Sequence, residues 1–146
     1  MKAFAVVSRK IFLAVILSVV LFALILGRFY SVKSKKMMKN GLTNADRLDF
    51  IYSLGVDVDS TPYTSNIIIP FEFSDVYMEY NKLQSEAGYN LEAYRGKEVC
   101  KYTYRCQNNE FTVVNLLVYE GRIIGGDICN VKINGFIKPL KKLNTE

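Results

Sequence analysis

The chain of 146 residues predicts an α+β fold: an N-terminal transmembrane helix, then a small domain of two helices packed on a mainly antiparallel sheet ending in a three-stranded meander. Three observations predict it. Residues 11–26 (IFLAVILSVVLFALIL) are one unbroken apolar stretch, two later segments carry apolar residues at helical spacing, and three strand-like runs after residue 97 are separated only by short turn-forming sequences.

The apolar stretch, from Ile11 to Leu26, spans roughly 24 Å as an α-helix, short of the roughly 30 Å hydrocarbon core. Arg28 can snorkel outward while Phe29 and Tyr30 lie at the interface, which extends the anchor to residues 11–30. A cleaved signal peptide competes with this reading, because Lys2, Arg9 and Lys10 precede the stretch. After Leu26, however, the chain reads Gly27-Arg28-Phe29-Tyr30, with no small-x-small cleavage site and no cysteine for a lipid. A buried core helix is disfavoured, since the segment is apolar on every face. Orientation stays open. Basic residues lie on both sides, and their count favours a cytoplasmic domain, whereas a short basic tail followed at once by an apolar run is the layout of an exported signal-anchor protein. The expected location is the cell membrane, single-pass, with the domain outside.

Charge divides along the same boundary. Residues 1–40 hold eight Lys/Arg and no acid, whereas residues 41–146 hold 11 basic and 14 acidic residues. A mildly acidic domain is a poor binder of phosphate backbones, so nucleic acid is excluded as a partner. The basic residues between Arg28 and Lys39 are drawn to anionic lipid headgroups, each by about 1 kcal/mol near the surface; a solvated tether is the competing reading. The predicted organisation is a basic tail (1–10), the anchor (11–30), a basic juxtamembrane linker (31–42, SVKSKKMMKNGL with the anchor's last residues before it) and one domain (43–146).

Within the domain, Thr43 precedes Asp46 by three residues, a capping pattern, and Leu48, Ile51, Tyr52 and Leu54 follow at helical spacing until Gly55. Residues 56–59 (VDVD) alternate like a strand. Residues 66–69 form a β-branched run stopped by Pro70, a second edge strand. Ser74 caps a second helix over residues 75–87, with Val76, Tyr80, Leu83 and Ala87 on the buried face and Tyr77, Asn81 and Gln84 bordering it. Residues 98–106, 111–119 and 122 onward form the meander, joined through Gln107-Asn108-Asn109-Glu110 and Glu120-Gly121. The middle run, FTVVNLLVY, is apolar on both faces and reads as the central strand.

The chain has no histidine, which removes Ser-His-Asp and Cys-His nucleophiles and His-containing zinc sites. Cys100, Cys106 and Cys129 are an odd set, and register places Cys129 about 9 to 10 Å from Cys106, too far for a bridge unless a bulge shifts it; buried, unreactive thiols are favoured over a disulfide and over a reactive or metal-binding thiol. Asp57-Val58-Asp59-Ser60 fails the calcium-loop pattern, since Pro62 stands where that loop needs glycine. No catalytic residue, metal or cofactor is expected. Gly125-Gly126-Asp127 marks a bulge or a close backbone approach, with Asp127 accepting from backbone amides or contacting a ligand. With Tyr80, Asn81 and Gln84 these residues form the candidate binding set. Tyr77, Tyr80, Tyr89, Tyr94, Tyr102 and Tyr104 form either core lining or a recognition surface, and core lining is favoured.

The segments IIIPFEFSDVYMEYNKLQSEAGYNLEAYRGKEVCKYTYRCQN and NLLVYEGRIIGGDIC resemble an uncharacterised bacterial family of the DUF4830 type, a domain of unknown function in small membrane-anchored proteins of Gram-positive bacteria. The resemblance covers residue 43 to about 140, and Tyr80-Asn81-x-Leu83-Gln84, Gly88-x-x-Leu91 and Ile124-Gly125-Gly126-Asp127 are its most specific parts. It implies an anchored domain outside the cell and no assigned activity. One departure is Val56, where that family favours an aromatic residue. The functional expectation is a non-enzymatic interaction or sensor module contacting the bilayer and an envelope protein or peptide. The alternative is a small ligand-binding domain or enzyme centred on Asp127 with a nearby Tyr or Cys.

Overall fold

The computed structural model describes residues 17–22 and 39–142, in two units divided at Lys36 and Met37. In the first unit residues 17–22 are helical and exposed. Among the described residues no helix is long and apolar enough to cross a membrane. The basic tail and the remainder of the expected anchor, including Ile11, Leu26, Arg28, Phe29 and Tyr30, lie outside the described residues.

The second unit is α+β, with strands β1 (Lys39–Asn40), β2 (Tyr63–Ile68), β3 (Glu98–Cys106), β4 (Asn109–Tyr119), β5 (Arg122–Asn130) and β6 (Ile137–Pro139), and helices α1 (Asn44–Ser53) and α2 (Asp75–Glu86). A 3-10 turn at Leu91–Tyr94 follows α2. The strands form one antiparallel sheet in the order β1-β5-β4-β3-β2, with β6 also on β5. The meander and its central strand lie where periodicity and turn residues place them. Residues 56–59 keep only one bridge, Val58 to Cys106. Lys39 and Asn40, expected in the tether, pair with Ile123 and Arg122 of β5.

Local chemistry sets the helices. The Thr43 hydroxyl accepts the Asp46 N–H, and the Asp46 carboxylate accepts the Thr43 N–H in return, closing a capping box. Ser74 caps α2 by accepting from the Tyr77 N–H. The buried face of α2 is rotated from the predicted one: Val76 is 82% exposed, while Gln84 is fully buried and Tyr77 and Tyr80 pack on the core. Two phenol rings and an amide with partners beneath outweigh one valine.

Each sheet face carries its own core. On one, Phe50 and Ile51 of α1 and its C-cap Leu54 meet Tyr104, Val114, Leu116 and Ile128; on the other, Ile69 and Leu91 meet Val99, Leu117 and Ile124. Tyr89 and Tyr104 are buried and Tyr77, Tyr80, Tyr94 and Tyr102 pack against these cores, so the tyrosines line the interior. Cys106 lies in the first core beside Ile128, and alternation puts Cys129 on the opposite face, so the two cannot bridge; all three cysteines are free.

In β5 the register steps from Leu117↔Gly125 to Val118↔Ile123, leaving Ile124 as the extra residue of a bulge. Ile124 and Gly125 therefore follow each other on one face, and a Cβ at Gly125 would lie 2.8 Å from Gln84 Oε1 and 3.1 Å from Leu91 Cδ2. At Gly126, with φ +148°, a Cβ would lie 2.1 Å from the Asn115 carbonyl oxygen. Gly126→Ala is expected to destabilise the domain by at least about 3 kcal/mol. Gly55→Ala, at φ +80° in open space, should lose only about 1 kcal/mol. Chemical denaturation followed by tyrosine fluorescence measures the difference, and equal losses would contradict the packing account.

Candidate functional site

Thr103, Asn115 and Asp127 stand opposite one another across β3, β4 and β5. Thr103 Oγ1 donates to Asn115 Oδ1 at 2.7 Å, and Asn115 Nδ2 donates to Asp127 Oδ1 at 2.8 Å. From α2 the Tyr80 hydroxyl donates to Asp127 Oδ2 at 2.8 Å. Asn115 and Asp127 are each only 5% exposed. Both carboxylate oxygens thus hold side-chain donors, 12 and 47 residues away in sequence. The expectation that Asp127 accepts from backbone amides of its own bend is corrected: the bend is held by steric fit at the two glycines, and the carboxylate is used for long-range contacts.

Electrostatics follow from burial. Burial raises the Tyr80 phenol far above its ordinary range, and the adjacent Asp127 charge and hydrogen bond raise it further. The Cys129 thiol is pushed up to about 11, first by burial and then by Asp127. Both groups keep their protons at neutral pH. Cys129 is therefore a poor nucleophile, and Tyr80 a fixed donor.

The other candidate residues serve the same junction. Asn81 Oδ1 accepts the Leu91 N–H at 2.8 Å and so holds the 3-10 turn against α2. Gln84 Oε1 accepts the Gly126 N–H at 2.8 Å. Its Nε2 is buried without a hydrogen-bond partner among the described residues. Sequence reasoning thus found Tyr80, Asn81, Gln84, Gly125, Gly126 and Asp127, which the fold does bring together. It missed Thr103 and Asn115. The signal for Asn115 was its position as the lone amide inside FTVVNLLVY, and counting register through the Glu120-Gly121 turn would have set it near Asp127.

Asp127 lines neither of two cavities beside these elements. One, of about 250 Å³, lies on the α1 face between Val56, Asp57, Cys106, Ile128, Phe136 and Lys138. Another, of about 220 Å³, lies on the open part of the other face between Asp59, Tyr63, Thr103, Arg105 and Val113. Among the described residues no three His, Cys, Asp or Glu side chains are placed to hold a metal ion.

The second surface feature is an edge. β2 pairs with β3 from Tyr63↔Thr103 to Ile68↔Glu98 without a register break. The next residue, Ile69, turns its N–H to Lys97 and its carbonyl to the Gly96 N–H, both on the β3 side. Antiparallel alternation then points the N–H and C=O of Thr64, Asn66 and Ile68 away from the sheet. Tyr63 and Ile68 are 73% and 68% exposed.

Asp127→Ala would leave the Tyr80 hydroxyl buried without its acceptor and the Asn115 amide with only the Cys129 sulfur at 3.5 Å, and is expected to lower stability by about 2 to 4 kcal/mol in denaturant titration. The raised groups also set an alkaline limit. Because the folded Cys129 pKa lies above its unfolded value, the associated stability is fully present below about pH 9 and is lost as pH rises through about 11; Tyr80 acts in the same direction. Melting temperature should stay level to about pH 9 and then fall, with a shallower fall in Cys129→Ala. Comparison with protein-family models, with curated proteins and with solved structures returns no match to this chain.

Proposed function

We propose that this chain is a membrane-tethered, non-enzymatic interaction module of the bacterial cell envelope, whose domain takes an extended segment of a partner protein onto the edge of β2. The observation that carries this reading is the undefended edge. Sheet edges are ordinarily protected by charge, proline, bulges or a covering element. β2, with the sequence YTSNII, has none of the first three, and among the described residues no backbone pairs with its outer side. Outward groups at Thr64, Asn66 and Ile68 match an added strand, and the exposed Tyr63 and Ile68 offer side-chain contacts beside it.

Tethering is supported by residues 17–22. These include Leu17, Val19, Val20, Leu21 and Phe22, all exposed on more than one full helical turn. Apolar side chains around the whole circumference of a helix suit lipid better than water. The resemblance to the uncharacterised anchored family supports a domain outside the cell. The ligand-binding alternative at Asp127 has no comparable support, since both carboxylate oxygens are engaged inside the fold.

Crosslinking of the full chain in native membranes, read by mass spectrometry, tests the reading with Thr64→Pro as comparison. Proline at 64 removes an N–H that points away from β3, so the ladder is kept and the melting temperature should move by no more than a few degrees. Adducts to a partner in the wild type that disappear in Thr64→Pro are the expected result. Recovery of the wild type only as an unpartnered monomer, or identical adducts in both, would overturn it; adducts only between copies would replace the partner with a second chain.

A further inference from the structure

We infer that the loop joining β5 to β6 is a bilayer-docking tip that takes an anionic phospholipid surface, an inference that rests on the reading of the chain as membrane-tethered. The Gly135 N–H bonds the Lys132 carbonyl at 2.8 Å, closing a turn with Ile133 and Asn134 at its centre, and Asn134 has φ +61°. That turn holds Ile133 at the tip, 95% exposed. Val131, Phe136 and Ile137 beside it are exposed as well. A cluster of apolar side chains held outward by a hydrogen-bonded turn is an unusual surface for water to cover.

Charge identifies what covers it. Residues 128–142 contain four lysines and no acid, whereas residues 41–127 contain seven basic and thirteen acidic residues. The domain is negative except at this end. Lys132 Nζ lies 3.9 Å from the Phe111 ring centroid and Lys138 Nζ 4.7 Å from that of Phe136, so both ammonium groups are held beside the apolar patch. Lys141 is paired with Glu86 at 3.5 Å, so the electrostatic part rests on Lys132 and Lys138. Apolar side chains that enter the acyl boundary while lysines stay at headgroup level are the arrangement by which peripheral proteins hold an anionic leaflet. A protein partner would need an acidic rim around an apolar socket, whereas a leaflet supplies both in any orientation.

The chain has no tryptophan, so Ile133→Trp in the full chain, reconstituted in vesicles of phosphatidylcholine with or without phosphatidylglycerol, gives a single reporter. Val76→Trp, at another highly exposed site, on α2, is the control. The expected result is blue-shifted emission and quenching by bromolipid for residue 133 in phosphatidylglycerol vesicles, with residue 76 remaining aqueous. Adding Lys132→Gln and Lys138→Gln should weaken docking about fivefold per lysine removed. Aqueous emission from residue 133 in every lipid overturns the proposal, as does a blue shift already present in detergent without lipid, and an equal blue shift in both vesicles overturns the anionic preference. Tethering is read separately by carbonate washing. A chain that washes off defeats the tether, and the same tryptophan then reports on docking to added vesicles.

Discussion

One hydrogen bond, from the Gly126 N–H to the Gln84 side-chain carbonyl, closes an edge that the strands of this domain leave open. β1 covers β5 at Arg122 and Ile123, and β6 covers it at Asp127, Ile128 and Cys129. Between them a buried amide points outward with no strand to receive it, and an unpaired buried N–H costs about 1 to 3 kcal/mol. Gln84 supplies the acceptor, and the consequences spread from there. The helix must present Gln84 rather than Val76 to the sheet, residue 125 must lack a Cβ so that the amide can approach, and Tyr80, one turn earlier, is brought over Asp127.

The same logic holds on the opposite face with other chemistry. Arg47 of α1 is buried, donates from Nε to the Tyr104 hydroxyl at 2.9 Å and from Nη1 to the Gly41 carbonyl at 2.8 Å, and lies 3.7 Å from the Tyr102 ring centroid. The Tyr104 hydroxyl in turn donates to Asn44 Oδ1 at 2.8 Å. Each helix is therefore fixed to its face by a directional polar set inside an apolar contact. Apolar packing alone would tolerate rotation of α1 or α2 about its axis. A buried guanidinium with three acceptors, the Tyr104 hydroxyl and the carbonyls of Gly41 and Leu42, or a carboxylate with two side-chain donors, does not, because rotation would strip those groups of partners at low dielectric.

What the sequence revealed and what it hid divide by range. Thr43-Asp46, Ser74, Gly88 and the Glu120-Gly121 turn act within a few residues, and each lies where its local chemistry puts it. The meander was legible for the same reason, since short turns fix register between neighbours. The face of α2 was not: Val76, Leu83 and Ala87 carry the apolar signal, but the orientation is decided by Asp127 and Gly126 some forty residues later. Nothing near Arg47 in sequence announces its contact with Tyr104 across the core. Lys39 and Asn40 read as linker because two polar residues have no period, and only the exposed edge of β5 gives them a place. Of the candidate site, the glycine pair and the tyrosine, asparagine and glutamine of α2 were visible as types, while their arrangement depended on Thr103 and Asn115, whose roles exist only once three strands are in register.

The two edges of the sheet have opposite treatment, and this constrains function more than any single residue. On the β5 side, two short strands and the Gln84 carbonyl take up bonding groups of the edge. On the β2 side, six residues without charge or proline stand at the boundary. A domain of this size gains stability from covering an edge and risks aggregation by leaving one bare, so a long uncharged edge is costly to keep unless something pairs with it. The apolar lysine-flanked loop lies on β5, three strand spacings or about 14 Å across the sheet from β2. A surface held at the β5–β6 end thus leaves the β2 edge accessible. The same separation keeps added backbone pairing away from Gln84 and Asp127, so occupancy of the edge need not disturb the junction on which α2 depends.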